Sequence, residues 1–438
     1  MLTRADKRAR ELEAAGIHAG DVVALSMGNV VEYVVLLLAA SRIDAIAMPV
    51  DPANGDRTLL AAAARLPLRA VVRRPRGLES DPFAYPDGYG AVSRKRLSGS
   101  LLTLDVLHPP PALRQVALPR DTELLLEAQG SDGLVRDIAR TGRQLQAIGS
   151  STTTMLELHG GTRLVCAQPL TATRFFDLVI LGWLASDAQL VMGDSPMLEN
   201  VIPAHPSTDD VVVVDSIRVL LELARSMKAA GQTLPLRTIL PQATVPAGSA
   251  KPLTNAFRHT PKQMLLFEEL GVLAVRAMER GESFHAAPGC ELEAGTPAGP
   301  VQASGVEVLA RTSHAASTTP PTPPGLPGGI VEARPQFHHT GYLGKFGRRG
   351  LQDVIGRTDS LVNLEGRRAC LDTIRSAMLT HRRITWAEPL LDHTADGDPI
   401  VRLRYRATGE TALDDVEEHA VGMLPPFMVP RSFERLAD

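Results

Sequence analysis

The chain has 438 residues, 44 % of them hydrophobic, and a net charge of −3 spread in mixed signs along its length. This composition suits a globular chain of two to four domains. It excludes a nucleic-acid track, because no long basic block occurs and pairs such as Arg73-Arg74 and Arg348-Arg349 read as solvated surface. The first sixteen residues, MLTRADKRARELEAAG, predict an amphipathic helix over 5–15 and lack the apolar core of a signal peptide. Gly16 and the Gly20-Asp21 pair then stop the helix and turn the chain. Val22 to Met27 predicts a buried strand, Asn29 to Arg42 a helix and Ala45 to Val50 a second strand. Glu32, Arg42 and Asp44 interrupt the apolar stretch from Val30 to Val50, so no membrane span is expected.

Residues 76–118, which include Pro109-Pro110-Pro111, read as irregular and loop-rich. Ser150 to Thr154 reads as a loop and helix cap. The β–α alternation returns with strands at 163–167, 189–192, 211–214 and 236–240 and helices at 175–185 and 217–228. Repeated alternation of this kind predicts an α/β fold built on a large layered domain. Residues 312–328 are Thr/Pro-rich and of low complexity, which predicts an exposed, partly disordered loop. Beyond them the pattern changes to α+β. The expected division is therefore a domain over 1–358 and a small one over 359–438, with the boundary at about Asp359.

The three cysteines, Cys166, Cys290 and Cys370, are far apart, odd in number and form no C-x-x-C pair. Free buried thiols in a reducing cytoplasm are expected, and no metal site. His338-His339 reads as a solvated pair, and MLLFEELGVLAV at 264–275 as a helix with a surface Glu268-Glu269 pair. No G-x-S-x-G or H-E-x-x-H is present.

The segment from Thr340 to Arg368, TGYLGKFGRRGLQDVIGRTDSLVNLEGRR, carries a more specific pattern. It is similar to the hinge of the adenylate-forming superfamily, which reads T-G-D-x-G, then G-R-x-D, then a strand and G-x-R. Thr340, Gly341, Gly344, Gly350, Gly356, Arg357, Asp359, Gly366 and Arg368 agree in register. LPPFMVPRSFERLAD near the end resembles the same family's approach to its C-terminus. The stretches LEAAGIHAGDVVALSMGNVVEYVVLLLAASRIDAIAMPVDP and RLVCAQPLTATRFFDLVILGWLASDAQLVMGD resemble its blocks further upstream.

This resemblance implies an acyl-CoA synthetase-type fold with a large α/β N-terminal domain and a small α+β lid. It implies ATP and Mg2+, a carboxylic acid substrate, and CoA or a phosphopantetheine-bearing acyl carrier protein as acceptor. The expected role is an acyl- or aryl-acid activating ligase of a specialised lipid, polyketide or pigment pathway, forming an acyl adenylate and then a thioester. The phosphate loop maps onto QGSDGLVRD, so nucleotide contacts fall on Gly130, Ser131, Gly133 and Arg136, and further ones on Thr340, Gly341, Tyr342 and Arg357. Asp359 is the hinge, and Gly366 and Arg368 face the thiol side.

Several positions depart from the family pattern. Asp132 stands in the phosphate loop and Tyr342 where a ribose-binding acid is usual. Neither Glu268 nor Glu269 is in register with the magnesium-binding Glu, and no His follows the Pro-Leu pair in TATRF at 171–175. The family's catalytic lysine has no counterpart after Lys345. These departures make a catalytically inactive member, acting as an acyl- or carrier-protein-binding partner, the alternative expectation.

Overall fold

The computed structural model describes the whole chain except residues 55, 75–84, 87, 115, 130–134, 193–209, 247, 280, 296–304, 319–335, 365–366, 395–397 and 437–438. Two large sheets dominate it. The first has eight strands in the order Ser317–Thr318, Val135–Thr141, Thr122–Gln129, Ile46–Val50, Val22–Ser26, Leu68–Arg73, Thr103–His108 and Gly90–Arg96. Its centre is parallel and its margins are antiparallel. The second has seven strands in the order His285–Ala286, Gly271–Ala277, Lys262–Phe267, Leu236–Leu240, Asp210–Val214, Thr162–Cys166 and Gln189–Met192. It is parallel from the last of these back to Lys262–Phe267.

The helices follow from apolar spacing. In Leu2–Glu13 the buried residues are Ala5, Arg8, Ala9 and Leu12, one stripe at helical period. The buried Arg8 is tolerated because Glu11, Glu32 and the carbonyl of Ser98 take its guanidinium. Helix Gly142–Leu156 opens on a capping box in which Thr141 and Gln144 exchange side-chain and backbone bonds. One apolar core runs through both large sheets, from Leu25 and Leu36 to Leu164, Val179 and Val272.

A four-stranded antiparallel sheet follows, in the order Cys290–Ala294, Val306–Thr312, His338–Gly347 and Gly350–Arg357. The last part of the chain has its own core, from Leu364, Ile374 and Met378 to Leu403, Val416 and Met428. Helices Leu371–Met378 and Leu413–Met423 enclose it against a three-stranded sheet, Ile384–His393, Pro399–Ala407 and Ser432–Arg435. This α/β body with a smaller α+β unit is the expected fold class. Among the described residues, no helix is long and apolar enough to cross a membrane.

Four local expectations are corrected. Within 76–118, residues 90–96 and 103–108 form a hairpin on the edge of the first sheet, since cross-strand pairing outweighs local irregularity. Ser150–Thr154 lies inside helix Gly142–Leu156, where Ser151 and Thr153 donate to the carbonyls of Pro288 and Gly182. The start of 312–328 is not a loose loop: His314 is buried, and Ser317–Thr318 pair with Ile138–Ala139 as the outer strand of the first sheet. Residues 264–275 form two antiparallel strands joined at Glu268-Glu269-Leu270, not a helix. All three cysteines are free and buried.

Candidate functional site

In open α/β sheets, ligands bind beyond the carboxyl ends of the strands. Here the carboxyl end of Lys262–Phe267 delivers Phe267 and Glu268, and the loop after Thr162–Cys166 delivers Arg174. The four-stranded sheet faces this end. Its strand His338–Gly347 places the Tyr342 ring 5.0 Å from the Phe267 ring, centroid to centroid. Register then sets Arg357 directly beside Tyr342 on the neighbouring strand. Asp372, at the start of helix Leu371–Met378, accepts a 3.3 Å hydrogen bond from the Arg357 backbone N–H.

These groups share one field. Burial pushes the Tyr342 phenol up to about 12, aided by Asp372 and Glu268 and opposed by Arg357 and Arg174. Burial also raises the Glu268 carboxyl, while the exposed Arg174 pulls it back down. The cluster thus presents a neutral phenol, the carboxyl groups of Glu268 and Asp372, and two guanidinium groups. The Arg357 guanidinium is folded onto Asp359, Nε to Oδ1 at 3.0 Å and Nη2 to Oδ2 at 2.6 Å.

The glycines of the segment have separate physical reasons. Gly341 takes φ +69°, a left-handed conformation, in a bulge where Thr340 donates to the Val308 carbonyl and accepts from the Tyr342 N–H. This bulge turns Tyr342 toward Phe267. A Cβ on Gly356 would lie 2.0 Å from Cys370 Sγ, so only glycine lets the strand and the following unit approach this closely.

Arg136 lies on Val135–Thr141, paired with Ala128 across a hairpin. Strand alternation puts it on one face with Ile138 and Arg140. Glu127 and Asp137, on the hairpin stem, are held by Arg65 at 2.6 and 2.9 Å. Gly130, Ser131, Gly133 and Gly366 lie outside the described residues, as does the Arg368 side chain. The structure therefore brings Tyr342, Arg357, Thr340 and Gly341 together and sets Glu268 among them. Sequence reasoning did not single out Phe267, Arg174 and Asp372, and it passed over Arg140 and Asp177. The one available signal was an Arg inside an alternating strand pattern, at a position where apolar residues are the rule. Among the described residues, no group of three or more His, Cys, Asp or Glu side chains could hold a metal ion.

Two layered α/β sheets, an antiparallel third sheet and a small α+β unit that meets their cleft define the adenylate-forming class of ligase fold. The AMP-binding enzyme family matches residues 1–89. The chain is similar to ATP-bound MatB from Rhodopseudomonas palustris, with a TM-score of 0.68 and 16 % identity over 99 % of this chain and 88 % of the other. It is likewise similar to o-succinylbenzoate CoA synthetase (MenE) from Bacillus subtilis in complex with the acyl-adenylate OSB-AMP, with a TM-score of 0.70, 14 % identity, and 99 % and 88 % coverage. Novobiocin biosynthesis protein H of Streptomyces niveus is 24 % identical over 98 % of this chain and 73 % of its own length. These likenesses show that the chain has the fold of adenylate-forming ligases.

Proposed function

We propose that this protein activates a carboxylic acid with ATP, the acid oxygen attacking the α-phosphorus to give an acyl adenylate and pyrophosphate. One observation carries this reading. The fold clusters Tyr342, Arg357, Glu268 and Arg174 at the carboxyl end of the second sheet. Such a reaction depends on positioning and on neutralising phosphate charge, not on a protein nucleophile. Arg174 and Arg357 are the cations offered to the phosphates, joined by Arg136 from strand Val135–Thr141. Gly130, Ser131 and Gly133 are the phosphate contacts that the resemblance implies. Tyr342 meets the ribose with one hydroxyl in place of a carboxylate, and its ring packs tilted against Phe267.

Mg2+ is commonly held by one or two carboxylates together with substrate phosphates, and Glu268 is a carboxylate of that kind. Bound there, the ion would offset charge on the departing pyrophosphate. Asp359, clamped by Arg357, is the pivot between residues 1–358 and 359–438, and the resemblance assigns Gly366 and Arg368 to the thiol side. The similarity to a novobiocin biosynthesis protein supports a specialised biosynthetic pathway, with CoA or a carrier protein as acceptor in a cytoplasmic setting.

The decisive measurement is acid-dependent exchange of pyrophosphate into ATP across a panel of aryl and acyl acids, alongside calorimetric ATP titration. Exchange with at least one acid is expected, and Arg136→Ala should weaken ATP binding by about tenfold. Absence of ATP binding at millimolar nucleotide would refute the reading. The substitution of a ribose-binding acid by Tyr342 favours a second reading, a non-catalytic acyl- or carrier-binding partner. That reading predicts capture of an acyl carrier protein without exchange.

A further inference from the structure

Arg140 and Asp177 are both fully buried, with no exposed side-chain surface. The guanidinium forks onto the carboxylate through Nη1 to Oδ1 and Nη2 to Oδ2. Nη2 also donates to the Glu268 carbonyl at 2.8 Å. One side chain thereby ties strand Val135–Thr141 of the first sheet, the segment Phe176–Leu181 and the turn that carries Glu268. The next carbonyl of that turn, Glu269, accepts from the Ala316 N–H at 2.7 Å, and the Leu270 N–H closes the turn onto the Phe267 carbonyl at 3.0 Å.

Stability alone does not explain the pair. A buried ion pair gains little or nothing over well-packed apolar residues of similar size, because desolvation offsets the attraction. Nor is the local backbone ordinary. Asp177 sits in a π-helical turn, Phe176–Leu181, which shifts side chains relative to an α-helical register. Such turns recur at functional sites. What the fork provides, and apolar groups could not, is a directional bond to the carbonyl of Glu268.

We propose that Arg140 and Asp177 are positioning residues. They fix the 268–270 turn so that the Glu268 carboxyl is held in the cleft beside Tyr342 and Arg174. This inference rests on the functional reading above for the meaning of Glu268, but the positioning itself is measurable without turnover.

The test uses the full chain with Arg140→Met combined with Asp177→Leu, and Arg140→Lys as a second variant. The double substitution removes both charges together, so it leaves no unpaired ion. Lysine keeps the charge opposite Asp177 but lacks the planar fork. Hydrogen exchange is read by mass spectrometry on peptides covering 262–277, together with thermal unfolding and pyrophosphate-exchange kinetics. In both variants, exchange at 268–271 should accelerate roughly tenfold or more while Tm stays within a few degrees. Turnover should fall roughly 10–100-fold, the range seen when groups supporting a metal-binding side chain are lost. The KM for ATP should move much less. Unchanged protection at 268–271 in either folded variant overturns the proposal. If the wild-type chain exchanges no pyrophosphate with any acid, the functional reading falls, and the hydrogen-exchange result alone decides the positioning claim.

Discussion

Gly356 offers a direct test of why the G-R-x-D segment carries a glycine. A methyl group there would meet Cys370 Sγ at 2.0 Å, Cys370 Cβ at 3.3 Å and Asp372 Cβ at 3.8 Å. Ordinary non-bonded contacts begin near ~3.5 Å, so the sulfur would have to move by more than about 1 Å. Cys370 is 4 % exposed, so any shift must be absorbed by packed neighbours. Gly356→Ala should therefore cost about 1–3 kcal/mol in overpacking. Roughly 1 kcal/mol more comes from placing an L side chain at φ +153°. Adding Cys370→Ala removes the sulfur and leaves only the 3.3 Å contact, which a few tenths of an ångström relieve. The overpacking part should then vanish, giving a coupling of at least about 1 kcal/mol in a double-mutant cycle. Trp386 lies in the C-terminal unit and Trp183 in the body, so urea unfolding followed by Trp386 fluorescence in a Trp183→Phe background reports on this region. An equal cost of Gly356→Ala with and without Cys370 would refute the steric account.

Two pH responses follow from burial. All five tyrosines are held above their ordinary value, Tyr89 and Tyr342 at about 12, each chiefly by burial. The native phenols keep their protons where the unfolded chain has lost them. Stability is thus fully present below about pH 10 and falls as pH rises toward 12. Ultraviolet titration of the native protein should show little phenolate at pH 10.5, and a normal tyrosine titration there would contradict this. His314 behaves in the opposite sense: burial lowers it to about 4. Its contribution is present above about pH 6.5 and is lost as pH falls through 4. His314→Gln should flatten the acid limb of the stability curve, and an unchanged limb would count against a buried neutral imidazole.

Much of the molecule was readable in the amino-acid order. Short apolar runs separated by helical spacing announced the parallel strands at 22–26, 46–50, 162–166, 210–214 and 236–240, because burial on both faces of a sheet leaves a local imprint. The glycines at 341 and 356 were equally legible, since a left-handed φ and a 2.0 Å approach each exclude a side chain. Tyr342 and Arg357 were singled out only through the resemblance of the segment from Thr340 to Arg368.

Other features had no local imprint. The hairpin at 90–108 and the edge strand Ser317–Thr318 gain their structure from partners distant in sequence, so their own composition resembled loop. The fork joining Arg140 to Asp177 spans 37 residues, and its bond to the Glu268 carbonyl spans 128. In sequence, each of these charged residues looks like any solvated surface charge. Burial and pairing distinguish them, and both are properties of how the sheets pack. The order of residues therefore determined the class of fold and the glycine positions of the segment from Thr340 to Arg357. Tertiary packing decided which carboxyl stands in the cleft and what holds it there, because long-range hydrogen bonds are chosen only once the backbone has brought their partners together.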